Sequence, residues 1–245
     1  MQTVRVIVNE EIVALELPAP ADDVLPSVAW GRYDVLFTPA FWAARVWLLQ
    51  QDARFSRFRL GASLREEVAA CVLGGFGIPA EVGVAAFCRL RDWGLLSSGA
   101  HENEIQQALL EPLEVGDRLI RYRFAKQRAE RLAAILMQID DVEFDDDRTL
   151  RAELLRLPGV GPKTASWIVR NHLGSDGVAI LDIHIVRACV AANVFPREVN
   201  LSRDYFRLEE QFLRFAAAIE ARPSVLDSVM WHHMRHIGHP ESFSH

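Results

Sequence analysis

The sequence predicts an all-α protein of two helical lobes, preceded by a short N-terminal β-hairpin. Three observations support this fold class. Apolar residues recur at helical spacing along most of the chain, with capping residues or Gly-Pro breaks between the helical stretches. Two consecutive helices meet at a glycine hairpin in residues 157–164. Strand-like alternation is predicted only within residues 1–17, so the strands are expected to be an accessory element.

The chain begins with the β-hairpin and a linker. Residues 4–8 and 12–17 alternate as strands around a turn at Asn9-Glu10, and residues 19–26 contain prolines. At 245 residues the chain is long enough for one domain or two small lobes. The predicted domains are the hairpin with its linker (1–26), a helical lobe (27–140) and a lobe containing the glycine hairpin and the C-terminal helices (141–245).

The helices are predicted from their start and stop signals. Thr38 and Pro39 suit the N-cap and first position of one helix. Residues 63–66 form a capping-box sequence, whose helix runs to about Leu73. Further helical stretches are predicted over residues 79–93, 102–110, 117–139, 150–156, 162–173, 183–193, 202–219 and 225–237.

Composition excludes several classes of protein. Half of the residues are hydrophobic, which indicates a globular chain, yet no apolar run reaches membrane length and no signal peptide is visible. Cys71, Cys88 and Cys189 are isolated, without a Cys-x-x-Cys pair, which argues against a zinc site or disulfide framework and fits a reducing cytoplasm. We therefore expect no metal site and no membrane partner, and a cytoplasmic protein that is associated with the nucleoid if it is prokaryotic. We also expect no cofactor and a monomer.

Charge is distributed unevenly. The formal net charge of −6 alone argues against a nucleic-acid partner. Acidic residues nevertheless concentrate in residues 140–147, and basic residues concentrate in one segment as Arg118, Arg121, Arg123, Lys126, Arg128 and Arg131. The segment could form a small basic face on an acidic body, or its arginines could belong to an ordinary solvated helix face.

The glycine hairpin reads Leu-Pro-Gly-Val-Gly-Pro-Lys-Thr-Ala-Ser over residues 157–166. Backbone N–H groups at a helix start can approach an anion closely where glycine leaves out the Cβ atom, and the helix dipole favours negative charge there. Such a hairpin can hold a DNA phosphate without reading a base. The alternative is an ordinary glycine turn between two core helices.

Lys163 lies directly beside this hairpin. The chain has 27 basic residues, of which only Lys126 and Lys163 are lysines. Unlike arginine, lysine can lose its proton in a protein and form a Schiff base. The positive end of the helix dipole disfavours an ammonium group at this position, which favours the reactive neutral amine. The alternative is a solvated surface lysine.

Asp182 follows an apolar run, in the sequence Ile180-Leu181-Asp182-Ile183-His184. Aspartate at this point suits the N-cap of the helix predicted over residues 183–193. The same carboxylate could stabilise positive charge near Lys163, and the two roles are compatible.

The hairpin motif followed by Leu-Asp-Ile-His resembles the helix-hairpin-helix DNA glycosylase superfamily, and the lysine with its aspartate most resembles the 8-oxoguanine DNA glycosylase/AP lyase branches. The resemblance implies a DNA-binding cleft between the lobes and double-stranded DNA with one base flipped out as the partner. The three isolated cysteines exclude the four-cysteine iron–sulfur cluster that many endonuclease-III-like relatives carry. It implies Lys163 and Asp182 as catalytic residues. The other implied site residues are Gly159, Val160, Gly161, Thr164 and His184 for DNA phosphates, and Trp167 and Trp231 for the base pocket, although either tryptophan could simply belong to the core. Phe76 and Ile78 could form an apolar wedge, and the alternative is a glycine loop with a buried Phe76.

The function implied by the resemblance is excision of 8-oxoguanine in base excision repair, with Schiff-base chemistry at Lys163. Relatives often carry polar residues in the loop that fills the gap left by the flipped base, whereas this chain has Phe76 and Ile78. Another lesion, or a modified base in foreign DNA, is therefore an alternative substrate. A non-catalytic helix-hairpin-helix module that only holds DNA is the alternative from another class. A metal site at His232 and His236 is not favoured, because no third ligand is obvious nearby.

Overall fold

The computed structural model describes residues 1–50, 59–75, 77–235 and 237. Helices dominate, and three short antiparallel strand pairs accompany them. The strands are β1 (Gln2–Val8), β2 (Glu11–Leu17), β3 (Asp23–Leu25), β4 (Val28–Ala29), β5 (Leu113–Val115) and β6 (Arg118–Ile120). The helices are α1 (Pro39–Gln50), α2 (Leu64–Leu73), α3 (Ala80–Asp92), α4 (Glu102–Leu110), α5 (Ala125–Leu136), α6 (Asp147–Leu154), α7 (Pro162–Leu173), α8 (Ile183–Ala191), α9 (Leu201–Ala218) and α10 (Pro223–Met234).

The N-terminal β-hairpin is confirmed. β1 pairs with β2 in antiparallel register from Gln2 opposite Leu17 to Val8 opposite Glu11. Asn9 and Glu10 form the two-residue turn with positive φ at both positions, 49° and 70°. Such a left-handed turn matches the twist of the paired strands.

The helix predicted over residues 117–139 is wrong at its start. Residues 113–120 instead form the β5–β6 pair, with Val115 opposite Arg118, and α5 begins only at Ala125. Gly116 takes a φ of 58° in the connecting turn. A glycine–aspartate pair between short apolar runs is a hairpin signal, and the regular amphipathic pattern begins only beyond it.

The chain divides into two compact units, which we call unit 1 and unit 2. Unit 1 joins residues 1–57 to residues 176–245, and unit 2 comprises residues 58–175. This division differs from the predicted lobes at 27–140 and 141–245. In unit 1, the ring of His233 on α10 lies 6.0 Å from that of Phe41 and 5.8 Å from that of Trp42, so the first helix packs with the last.

Each unit has its own hydrophobic core. In unit 1 the core includes Trp42 of α1, Phe212 and Phe215 of α9 and Met230 of α10. In unit 2 it is built from α2, α3, α4 and α5 around Leu73, Leu90, Ile105, Leu109 and Leu132. Among the described residues, none of the helices is both long and apolar enough to cross a membrane.

Candidate active site

The glycine hairpin lies between α6 and α7 in unit 2, as predicted. Its two glycines differ in conformation. Gly159 has a φ of +74°, and a Cβ atom there would lie 2.7 Å from Cδ of Arg131, so the backbone conformation and this neighbour both favour glycine. Gly161 is the N-cap of α7 with φ −98° and ψ 176°, and a Cβ there would meet no atom within 4 Å. The fold therefore leaves open space beside Gly161, where an anion could approach the backbone.

The start of α7 follows directly from the sequence. Pro162 occupies the first helical turn, and Ala165 donates its N–H to the carbonyl of Gly161 at 2.9 Å. Val160 is buried at 6% exposure and helps to hold the turn, since its N–H donates to Leu157. Gly174 ends the helix in a left-handed conformation with φ +67°, as expected for a glycine C-cap.

Lys163 is the second residue of α7 and is half-buried. Within the described part of the chain, the structure shows no hydrogen bond and no ion pair for its amine. Thr164, beside it, is also half-buried. The structure therefore places Lys163 at the start of α7, beside the glycine hairpin, as the sequence predicts.

Trp167 lies one turn after Lys163 and packs on Gly74, at the end of α2. A Cβ atom on Gly74 would come within 3.0 Å of Cη2 of the indole. Nearby, the hydroxyl of Tyr122 donates to the carbonyl of Leu73 at 2.6 Å, and burial raises the pKa of Tyr122 to about 12. The start of the loop over residues 74–77 is thus anchored by contacts with α7 and with the segment before α5.

The other end of this loop is also anchored. A Cβ on Gly77 would lie 3.1 Å from Cε2 of Phe124. Ile78 donates its N–H to Gly75 at 3.0 Å and is 9% exposed in the core of unit 2. Ile78 is thus largely buried within unit 2, and its role as a wedge stays a prediction. Phe76 lies outside the described residues, and its wedge role stays a prediction.

A buried carboxylate that sequence reasoning missed ties α7 to α2. Glu67 is completely buried; its Oε2 accepts the N–H groups of Leu60 and Gly61, both at 2.8 Å, and its Oε1 accepts Nδ2 of Asn171 at 2.7 Å. Burial, followed by the charge of Glu67, raises the pKa of the Cys71 thiol, which makes that thiol a poor nucleophile. The signal for this network was a glutamate on the apolar side of α2.

In unit 1, Asp182 is the N-cap of α8, as predicted. Its Oδ1 accepts the N–H of His184 at 2.8 Å and that of Ile185 at 3.0 Å. Both capping bonds therefore use one oxygen, and no described residue bonds to Oδ2. The second oxygen is available to interact with positive charge.

His184 and Trp231 lie together in unit 1. Their rings meet edge to face at a centroid distance of 6.5 Å, and the guanidinium of Arg235 lies 4.6 Å from the Trp231 ring. Nδ1 of His184 is buried and has no hydrogen-bond partner among the residues described. The expectation of no metal site at His232 and His236 stays a prediction, because His236 lies outside the described residues. His184 is therefore held by an aromatic contact, with one ring nitrogen unsatisfied.

The predicted site residues fall into two groups. Gly159, Val160, Gly161, Lys163, Thr164 and Trp167 follow one another in unit 2, whereas Asp182, His184 and Trp231 lie in unit 1. Sequence reasoning found the residues that have local signals. It missed Arg131 against Gly159 and the anchors of the 74–77 loop, because these contacts join segments that are distant in the chain.

Comparison with known proteins gives consistent matches. The sequence profile of the 8-oxoguanine DNA glycosylase family matches residues 50–221. A curated 8-oxoguanine DNA glycosylase/AP lyase of Metallosphaera sedula is 33% identical over 97 residues, which cover 40% of this chain and 47% of that protein. The chain thus matches about half the length of this relative.

Solved structures support the same fold. The 8-oxoguanine DNA glycosylase of Thermotoga maritima is similar with a TM-score of 0.56 and 26% identity, over 70% of this chain and 79% of that one. The Methanocaldococcus jannaschii 8-oxoguanine glycosylase/lyase, solved with a 15mer DNA containing 8-oxoguanine, has a TM-score of 0.62 at 23% identity, over 80% of this chain and 98% of that one.

Proposed function

The chain belongs to the 8-oxoguanine DNA glycosylase family. From that premise we propose that it excises 8-oxoguanine from double-stranded DNA and, as an AP lyase, cleaves the DNA strand at the abasic site that remains. One observation carries the proposal most directly. Lys163, one of two lysines in the chain, is the second residue of α7. It lies next to the N-cap Gly161, beside which the fold leaves open space, and it has no charged partner among the described residues.

The chemistry proposed for Lys163 is a nucleophilic substitution at the sugar. Its neutral amine attacks C1′ as the bond from C1′ to the base breaks, and the base leaves with the bonding electrons and takes up a proton. Loss of the amine proton and opening of the sugar ring give a Schiff base between Nζ and C1′. β-Elimination then removes a proton from C2′, forms the double bond between C2′ and C3′, and breaks the bond between C3′ and its phosphate oxygen, which nicks the strand.

Asp182 supplies the negative charge that this reaction needs. Positive charge develops on the sugar as the base leaves, and a preorganised carboxylate stabilises it without reorganising. Oδ1 is already engaged by the α8 N-terminus, which holds the side chain in one orientation and leaves Oδ2 for this purpose.

The remaining predicted residues are proposed to hold the DNA. N–H groups at the start of α7, with Thr164, bind a phosphate next to Gly161, and His184 binds a second one. Trp167 and Trp231 are proposed to contact the flipped base. The protein acts as a monomer on DNA of the cytoplasm or nucleoid.

A panel of duplexes, each with one lesion or modified base, tests the proposal in the presence of borohydride. Borohydride reduces the Schiff base and traps a covalent protein–DNA adduct, which we expect with 8-oxoguanine. Lys163→Gln should abolish the adduct and keep DNA binding, and Lys163→Arg should not rescue it because the guanidinium stays protonated. Lys126→Gln, at the only other lysine, is the matched control and should trap normally.

The outcomes separate the alternatives. An undiminished adduct in Lys163→Gln would overturn the assignment of the nucleophile. Trapping with a different base alone would favour the alternative substrate that the apolar Phe76–Ile78 loop suggests. Binding without base release from any duplex would indicate a non-catalytic module.

A further inference from the structure

We propose that Tyr205, Glu209 and Asp227 are positioning residues for Asp182, because their buried side chains hold the backbone of the three residues that precede it. The proposal rests on the proposed function, since it assigns a purpose to these residues in base excision. All the groups involved belong to unit 1.

The segment that leads into Asp182 belongs to neither a helix nor a strand pair. Side chains take the place of a neighbouring strand. The N–H of Ala179 donates to Oε1 of Glu209 at 3.0 Å, and that of Ile180 donates to Oδ2 of Asp227 at 3.4 Å.

Tyr205 makes the most constraining contact of the three. Its hydroxyl donates to the carbonyl of Ala179 at 2.8 Å and accepts the N–H of Leu181 at 3.2 Å. One hydroxyl therefore bridges two residues of the segment and ends directly beside Asp182. Each N–H from Ala179 to Leu181 is thus bonded to a side chain.

These contacts are made in the interior of unit 1. Tyr205 is 4% exposed, Glu209 and Asp227 are each 3% exposed, and Ala179 and Leu181 are fully buried. Burying a carboxylate is unfavourable unless it is well hydrogen-bonded, so placing two of them here costs stability that a closed apolar core would retain. The hydrogen bonds to Ala179 and Ile180 offset part of this cost, and Oδ1 of Asp227 also accepts the hydroxyl of Ser228 at 3.0 Å.

Both sides of Asp182 are held as a result. On the N-terminal side, Tyr205 and Glu209 come from α9 and Asp227 comes from α10, so the supports are carried by regular helices. On the C-terminal side, Oδ1 is held by the N–H groups that begin α8. A catalytic side chain must be held to within about 0.5 Å, and this arrangement fixes where Oδ2 points.

Tyr205→Phe tests the proposal, because it removes one oxygen and keeps the ring in the core. Single-turnover base release should slow by about 10- to 100-fold, since displacement by about 1 Å can cost about 10²-fold. The dissociation constant for lesion DNA should not change. Tyr33→Phe is the control, because the Tyr33 ring is 37% exposed and its hydroxyl bonds to no described residue. A folded Tyr205→Phe that releases base at the wild-type rate would overturn the proposal.

A double-mutant cycle separates positioning from stability. If Tyr205 acts only through Asp182, adding Tyr205→Phe to Asp182→Asn should slow base release no further. Losses that multiply would overturn the proposal.

Two variants of Glu209 test its contact with Ala179. Glu209→Gln keeps an acceptor oxygen for the N–H of Ala179 and should retain base release, whereas Glu209→Met removes the acceptor and should slow base release. Equal rates of base release in the two variants would also count against the proposal.

Amide hydrogen exchange gives a readout that does not depend on activity. In Tyr205→Phe, exchange should become faster at Leu181 and at the capped amides of His184 and Ile185. If the wild-type protein released no base from any duplex, the proposed function would fail. Faster exchange at His184 and Ile185 would then still support the hold on Asp182, and unchanged exchange would overturn it.

Discussion

At the scale of single residues, Asp182 has two carboxylate oxygens in different surroundings. Oδ1 accepts two backbone N–H groups at 2.8 and 3.0 Å, which is the work of a helix cap. Oδ2 is not bonded to any residue that the structure describes. The structural and chemical roles of the same side chain can therefore be separated by substitution.

We expect Asp182→Asn and Asp182→Ala to differ in stability and to share a loss of activity. Asparagine also caps a helix, so it should change the melting temperature little, whereas alanine should lower the free energy of unfolding by about 0.5–2 kcal/mol. Asparagine has no charge, and loss of one preorganised electrostatic contact commonly costs about 10²–10³ in rate. Single-turnover base release and thermal melting of both variants are the measurements.

The contrary outcome is equally specific. A well-folded Asp182→Asn that binds DNA and releases base at nearly the wild-type rate would leave Asp182 as a cap only. Lys163 would then need another source of negative charge.

Residues with local signals were the predictable part of the candidate site. Lys163 and Asp182 are set by motifs that lie within a few positions of each residue, so the sequence alone predicts their helix positions. Ile78 carries no such signal. Its loop looks exposed in sequence because of its glycines, but tertiary packing buries the side chain at 9% exposure. Burial of a loop residue depends on distant segments, which a single sequence does not reveal.

At the scale of elements, the two glycines of the hairpin serve different purposes. The fold favours glycine at position 159, because its φ is +74° and Arg131 occupies the space where a Cβ would lie. Gly161 has a φ of −98°, which other residues adopt readily, and open space around its Cα. Neither the backbone conformation nor any described neighbour therefore opposes a side chain at Gly161.

Gly161→Val is predicted to weaken DNA binding and leave the protein folded. A branched side chain would stand where the DNA phosphate approaches the backbone, so affinity should fall about equally for damaged and undamaged duplexes. Equilibrium binding to both duplexes, with the melting temperature, measures this. Gly99→Val is the matched control in the same unit, because a Cβ there also meets nothing within 4 Å, and its affinity should be unchanged.

A loss confined to one lesion would contradict this interpretation, since the hairpin would then be reading a base. Gly159→Val gives the opposite pattern. We expect it to lower the melting temperature before any DNA is added, because both the conformation and Arg131 oppose a side chain there.

Most helices were predictable because their ends carry chemical signals. The Ser63 hydroxyl accepts the N–H of Glu66 at 3.2 Å and begins α2, as the capping sequence indicates. The carboxylate of Glu66 returns to the N–H of Ala62 at 2.7 Å rather than to Ser63, so the reciprocal half of the box is displaced by one residue. The β5–β6 pair was missed because three-residue strands show too little alternation to compete with a helical pattern.

At the scale of the whole molecule, the grouping of elements was the least predictable feature. Periodicity shows which face of a helix is buried but not which element covers it. The β-hairpin and α1 share unit 1 with α8, α9 and α10, although more than a hundred residues separate them in the chain. The predicted boundary near residue 140 divides the chain into consecutive segments, whereas the two units group segments that pack together even when they are distant in the chain.

Stability is predicted to depend on pH through one histidine in each unit. Burial lowers the pKa of His172 in unit 2, and the charge of Arg59 lowers it further while Glu67 opposes this shift. Burial also lowers the pKa of His233 in unit 1, where Arg45 and His232 add to the effect and the carbonyl of Val229 opposes it. Both rings are therefore harder to protonate in the folded protein than in the unfolded chain.

The sign follows from proton linkage. Below the ordinary histidine pKa of about 6.5, the unfolded chain binds protons that the folded protein does not, so acid favours unfolding. The contribution of these two histidines to the free energy of unfolding should be complete above about pH 6.5 and should fall as the pH decreases toward 5. Melting curves from pH 8 to 5 measure this, with His172→Gln and His233→Gln each expected to flatten the dependence.

Because His172 belongs to unit 2 and His233 to unit 1, unfolding probes within each unit should assign the two contributions separately. Unchanged pH dependence in both variants would show that other groups govern the acid transition.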